Sequence, residues 1–75
     1  MITASQCRMA RAALGWGVRD LAEKAQVGVA TVNRFETGQS APVRSTLTVI
    51  QQTFEAAGVR FTEDGGVVPP GKPSL

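Results

Sequence analysis

Residues 18–38 read VRDLAEKAQVGVATVNRFETG, and this stretch sets the architecture of the whole chain. Its first part, Val18 to Ala25, carries apolar residues at offsets of 0, 3, 4 and 7, which is the period of one helical face. Its last part, Val29 to Thr37, has an apolar inner side and ends before Gly38, where a C-terminal glycine is favoured. Because only three residues separate the two parts, the stretch predicts two short helices joined by a tight turn.

Two further helices are predicted around this pair. One starts at Thr3, whose hydroxyl and Gln6 three residues later have the spacing of a capping box, and it ends at Gly15. The other covers residues 44–57 and places apolar side chains on one face before a second glycine. The predicted fold class is therefore mainly α, with four helices within residues 1–58.

The chain changes character after this helical part. Residues 59–75 are a C-terminal extension with glycine, proline and valine, predicted to form a short strand or hairpin and then a flexible end. A lone hairpin is marginal in water, so it needs a surface to cover or another strand. One expectation is that it joins two monomers through three apolar side chains, Val59, Phe61 and Val67. The alternative is that Val59 and Phe61 fold back onto the core of their own monomer and that the rest of the extension is disordered.

Composition excludes several classes of protein. The 75 residues are 43% hydrophobic and 19% charged, which indicates one globular domain rather than a disordered chain. Since the sequence holds no long apolar run and no secretory signal, a cytoplasmic location without membrane contact is expected. Cys7 lies at helical spacing from Ala10 and Leu14 and is interpreted as a core residue. With one cysteine and no histidine, we expect no enzyme, no metal and no cofactor.

The central stretch resembles the phage-repressor and Cro family, also called the XRE family, whose members carry a helix-turn-helix. The resemblance covers residues 7–57 and rests on the following residues: Leu21-Ala22-Glu23-Lys24-Ala25, Val27, Thr31-Val32, Arg34-Phe35-Glu36-Thr37-Gly38 and Pro42. It implies a sequence-specific regulator of transcription that binds double-stranded DNA as a homodimer, with the helix at 29–37 in the major groove. The family also includes members that mainly bind a protein partner, such as antitoxins that bind a toxin, and this is the alternative function.

The resemblance also implies which residues contact DNA. Asn33 and Arg34 are the expected hydrogen-bonding residues, Asn33 toward adenine and Arg34 toward guanine or a phosphate; the alternative is that both are solvated residues on a surface helix. Val29 and Ala30 stand at groove-facing positions that are often polar in relatives, where they can meet a thymine methyl group; for Val29 the alternative is core packing. The expected DNA-contacting set is completed by residues near the phosphate backbone, namely Gly17, Val18, Gly28, Thr37, Gln39 and Arg44.

Three further expectations concern the stability of such a domain and the strength with which it binds DNA. The resemblance implies a partly buried salt bridge between Arg11 and Glu36. Gln26 stands where the family usually has glycine, and a left-handed backbone there would cost on the order of 1 to 2 kcal/mol. The net charge of +2 is small and lies in the helical part, so one monomer should bind DNA weakly and a dimer is favoured.

Overall fold

The computed structural model describes residues 1–71 as four helices followed by a two-stranded hairpin. The helices are α1 (Ala4–Leu14), α2 (Val18–Ala25), α3 (Val29–Glu36) and α4 (Arg44–Ala56). The strands β1 (Arg60–Phe61) and β2 (Val67–Val68) pair antiparallel, with Arg60 opposite Val68. The predicted mainly α fold with a short C-terminal hairpin is confirmed. The residues beyond 71, for which a flexible end is predicted, lie outside the described part of the chain.

Local capping chemistry determines where α1 begins and ends. The backbone N–H of Gln6 donates to the Thr3 hydroxyl at 3.1 Å, and the Thr3 N–H donates to the Gln6 side-chain oxygen at 2.9 Å. This is the predicted capping box, which satisfies two backbone donors at once. At the other end, Gly15 adopts a left-handed backbone with φ of 70°, a conformation that favours glycine.

The turn between α2 and α3 carries backbone strain. Gln26 ends α2 with φ of 57° and ψ of 45°, which is the left-handed region predicted for this position. It is the one non-glycine residue with a positive φ within residues 1–71. Its side chain is exposed, so packing does not compensate for the strain.

All four helices and the start of the extension contribute to a single apolar core. Phe54 at its centre is fully buried and stacks on Trp16 at a ring-centroid distance of 5.8 Å. Cys7 is fully buried, as predicted for a core residue. The buried apolar side chains are Ile2, Cys7, Ala10, Leu21, Ala22, Ala25, Val32, Phe35, Ile50, Phe54 and Val59. The core therefore joins the N-terminal segment to the C-terminal extension.

The C-terminal hairpin is fastened to α1 of its own chain. The buried amide of Gln6 donates to the backbone oxygens of Thr62 at 3.2 Å and Gly66 at 3.1 Å. Phe61 packs edge-on against Phe54 at 6.0 Å between ring centroids. The same glutamine thus caps α1 and holds both ends of the hairpin turn.

The prediction that Val59 helps to join two monomers requires a correction. Val59 is 1% exposed and belongs to the core of its own chain, so its side chain is not available to a second subunit. Phe61 and Val67 are half-buried against the same core. The expectation of uncovered apolar side chains neglects the cover that α1 and α4 provide. The fold-back alternative is right for Val59 and Phe61 but wrong for the rest of the described extension, because Val67 and Val68 form a strand instead of a disordered segment.

None of the helices in the described part of the chain is long and apolar enough to cross a membrane.

The strain at Gln26 predicts an unusual response to glycine. We expect Gln26→Gly to stabilise the chain by up to about 1 kcal/mol, because relief of the left-handed backbone exceeds the entropy that glycine adds to the unfolded state. The same change at the exposed Gln52 inside α4 should destabilise it by about 1 kcal/mol. Urea unfolding measures both effects. If both variants lose stability, the claim that the backbone at Gln26 is strained is wrong.

Candidate nucleic-acid interface

Helix α3 has a buried side and an exposed side of different chemistry. Its buried residues are Val32, Phe35 and Glu36. On the opposite side four residues are exposed, and they fall at helical offsets of 0, 1, 4 and 5: Val29, Ala30, Asn33 and Arg34. The exposed side presents two apolar side chains in its first turn and two polar ones in the next.

Val29 does not belong to the core. Its exposed fraction is 39%, so the alternative of core packing is not what the structure shows. It lies at a shallow depression between α2 and α3, whose rim includes Arg19 and Gln26. The start of α3 is therefore open to a ligand approaching from outside.

The buried carboxylate of Glu36 ties α3 to α1. Arg11 binds it with two nitrogens, Nε to Oε2 and Nη2 to Oε1, each at 2.6 Å. The Cys7 thiol donates to Oε2 at 3.1 Å. Such bidentate, charge-assisted bonds are the strong class of hydrogen bond in proteins. Two residues of α1 therefore hold the end of α3 by its side chain.

Two more arginine contacts extend this network. Arg11 Nη1 donates to the backbone oxygen of Trp16 at 3.0 Å, which links the ion pair to the segment before α2. Arg8 donates to the backbone oxygen of Glu36 at the last turn of α3, where a positive charge is favourable. Helices α1 and α3 and the connection to α2 are thus fixed through one residue, Glu36.

The network also sets the protonation of its members. Burial alone would raise the pKa of Glu36, which is 5% exposed, but the hydrogen bonds from Arg11 and Cys7 and the charges of Arg11 and Arg8 keep that pKa below its usual value. Burial, followed by the bond to Glu36, raises the pKa of Cys7. Glu36 is therefore charged and the thiol neutral at pH 7.

Some positive side chains of the helical part contact other groups of the chain, and the others do not. Arg8 and Arg11 contact Glu36, and the Lys24 ammonium lies 5.2 Å from the centroid of the Trp16 ring. Three exposed arginines remain, one each on α2, α3 and α4: Arg19, Arg34 and Arg44. Within residues 1–71 the one salt bridge is Arg11 to Glu36, so these three guanidinium groups have no carboxylate partner there.

A family model described as a helix-turn-helix domain matches residues 4–63 of this chain. The chain belongs to this helix-turn-helix family. The match includes all four helices and confirms the resemblance to the Cro-like type. No curated protein matches the chain. Membership implies a DNA-binding regulator at the level of the class, and domains of this class are typically not enzymes.

One expected phosphate contact of the helix-turn-helix domain is corrected by the structure. The N–H of Gly17 donates to Asp20 Oδ2 at 2.7 Å, so it is not free for a phosphate. The carboxylate also places negative charge beside Val18, at the start of α2, and repels a phosphate there. The prediction treats the Gly17 amide as free and overlooks Asp20 as its acceptor.

Helices α3 and α4 of the helix-turn-helix domain begin differently. Their N-cap residues, Gly28 and Val43, make no side-chain capping bond, and neither helix has an acidic residue in its first turn. The backbone donors at these two helix starts therefore have no side-chain acceptor. Gln39 is exposed, and Thr37 is exposed too, although its hydroxyl donates to the Asn33 backbone oxygen at 2.9 Å.

The contacts of three residues in this helix-turn-helix domain, Arg19, Cys7 and Arg8, are not predicted by the sequence. Arg19 lies beside Val29 only because of the angle between α2 and α3, which residue periodicity does not contain. The contacts of Cys7 and Arg8 with Glu36 join positions 29 and 28 residues apart. A polar, hydrogen-bonding role for a cysteine at a core position leaves no signal in the pattern of apolar residues.

The Glu36 network predicts a specific pattern of stability in this helix-turn-helix domain. Arg11→Met leaves a buried carboxylate without its main partner and should lower the free energy of unfolding by about 3 kcal/mol. Glu36→Met in the Arg11→Met background removes the stranded charge and should recover at least half of that loss. Chemical denaturation of the single and double variants makes the comparison.

Arg19→Met is the matched control, because Arg19 is exposed and this change should cost less than about 0.5 kcal/mol. A double variant as unstable as the sum of its two single variants would contradict the proposed role of the charge.

Proposed function

We propose that this helix-turn-helix domain is a sequence-specific regulator of transcription that binds double-stranded DNA as a homodimer, with α3 in the major groove. The observation that carries this proposal is the exposed side of α3, which presents Asn33 and Arg34 while Glu36 on the same helix is buried and anchored to α1. A helix that is held by one side and exposes polar side chains on the other has the form needed to read base edges.

Each exposed side chain has a role that its chemistry supports. Arg34 can donate two hydrogen bonds to the O6 and N7 atoms of guanine, and Asn33 can pair with the N6 and N7 atoms of adenine. Val29 and Ala30 can contact only apolar groups. Arg44 supplies charge for the phosphates.

The phosphate contacts follow from the charges that the fold leaves unpaired. Arg44 is the first residue of α4, where the helix dipole disfavours a positive charge, so helix stability does not account for its position. A phosphate near the uncapped start of α4 would pair with both the guanidinium group and the backbone N–H groups. Arg19 on α2, Gly28 at the start of α3 and Gln39 in the following loop complete the proposed backbone contacts.

The small number of these contacts favours a dimer. Three unpaired arginines give one chain few phosphate contacts, and a twofold pair doubles them. Successive major grooves on one face of DNA are about 34 Å apart. The chain measures 36 × 23 × 19 Å, so its size allows two copies to lie on successive major grooves.

The readout by α3 predicts different effects for two arginines. On a duplex selected from a random library, Arg34→Ala should lose about 1 to 3 kcal/mol of binding free energy and discriminate less at one base pair. Arg44→Ala should weaken all duplexes alike and reduce the log-log salt slope by about 0.9. Fluorescence anisotropy at several salt concentrations measures both.

Lys24→Ala is the control for general loss of charge, because Lys24 covers Trp16 and should not contact DNA. If the Arg34 and Arg44 variants bind every duplex as tightly as the parent, α3 does not read DNA. Copurification of a second protein would then support the antitoxin-like alternative.

The proposed dimer predicts the stoichiometry on DNA. A duplex with two half-sites 10 to 10.5 base pairs apart should bind two chains, and a duplex with one half-site should bind one chain more weakly. Sedimentation velocity with labelled DNA gives the mass of each complex. A single chain per two-half-site duplex at saturation would exclude the dimer.

A further inference from the structure

The first turn of α3 offers DNA no hydrogen-bonding side chain on its exposed side. Val29 and Ala30 are both exposed, and neither contains a donor or acceptor. Thr31 is the one polar residue of that turn, and it is half-buried. The polar readers Asn33 and Arg34 begin one turn later. The part of α3 that enters a groove first is thus apolar.

This apolar start is open and is not part of the core. Val29 is 39% exposed, whereas Val32 on the buried side of the same helix is fully buried. Ala30 ends at its Cβ atom, so a base edge can approach the helix closely at that position. The two side chains form a small apolar surface continuous with the polar surface of Asn33 and Arg34.

The major groove contains one kind of apolar group that such a surface can recognise. Every base edge there presents hydrogen-bond donors or acceptors, and thymine adds a methyl group on C5. 5-Methylcytosine carries the same group at the same ring position. Since valine and alanine form no hydrogen bonds, they do not distinguish O4 of thymine from the N4 amino group of cytosine.

We infer that Val29 and Ala30 recognise the C5-methyl group of a pyrimidine, so that binding responds to methylation of cytosine as well as to thymine. This inference rests on the proposed function. The inference extends the proposed function, because the methylation state of the DNA, and not only its sequence, then determines the affinity.

The helical spacing places this methyl group close to a purine. Ala30 and Arg34 are four residues apart, as are Val29 and Asn33, so each apolar side chain has a polar one about 5 to 6 Å away on the same side. Base pairs stack at about 3.4 Å. The methyl group and the purine contacted by Arg34 therefore lie within one or two base pairs, as in a thymine or 5-methylcytosine next to guanine.

The test uses a duplex selected from a random library and varies one pyrimidine at a time. Each thymine is replaced by deoxyuridine, and each position is also synthesised with cytosine and with 5-methylcytosine opposite guanine. At the contacted position the methyl group should strengthen binding about fourfold in both pairs, the value for burying one methyl-sized group. Fluorescence anisotropy gives the dissociation constants.

Two valines of equal exposure provide the matched variants. Val29→Ser removes both γ-methyl groups of valine and should abolish most of the increment. Val49→Ser makes the same change on α4, at a residue that is also 39% exposed, and should retain the increment in full. The Val29→Ser, Ala30→Ser double variant leaves no methyl group at either position and should bind methylated and unmethylated duplexes equally.

The outcomes separate this inference from the proposed function. If the selection enriches no duplex, DNA reading fails and the methyl readout fails with it. If duplexes are enriched but deoxyuridine binds as well as thymine at every position, the methyl readout alone is overturned. If the methyl group still strengthens binding of the double variant, the methyl group is not recognised by Val29 and Ala30.

Discussion

The pairing of a buried carboxylate with a bidentate arginine is the constraint on which the rest of this structure depends. Glu36 is nearly inaccessible to water, and a carboxylate in that setting must be paired and hydrogen-bonded. Arg11 and Cys7 both satisfy it, and both belong to α1. Because Glu36 is the last residue of α3, the pairing fixes the end of α3 against α1. The orientation that exposes Asn33 and Arg34 is a direct consequence.

The same constraint decides how much charge is left for DNA. Arg8 and Arg11 contact Glu36, and Lys24 covers Trp16. Although the pI is about 9.3, only three exposed arginines on the helices make no such side-chain contact within the described residues. One comes from each of α2, α3 and α4. The number of basic residues therefore overstates the electrostatic attraction of a monomer to DNA. Affinity must come from contacts to the bases and from a second copy of the domain.

Local features of the sequence predict the helices well. The features that the sequence does not predict depend on contacts between residues far apart in the chain. Thr3, Gln6 and Gly15 mark the ends of α1 through bonds within four residues. The strained backbone of Gln26 is also a local property of the turn. The bonds from Gln6 to the hairpin span 56 and 60 residues, and nothing in a glutamine at a capping position indicates them. The wrongly predicted phosphate contact of Gly17 is a different case. Asp20 lies only three residues away, so its role as acceptor for the Gly17 N–H is a local feature that the sequence contains.

The central claim is that the exposed side of α3 is the surface that contacts DNA. The most direct test is a titration of the isotopically labelled chain with a selected duplex, followed by two-dimensional NMR of the backbone amides. The account predicts that the largest shifts occur at residues 28–34 and at Arg44, with small shifts along the groove that Trp16, Lys24 and Val49 line. Large shifts in that groove or in the hairpin, with the amides of α3 unchanged, would contradict it.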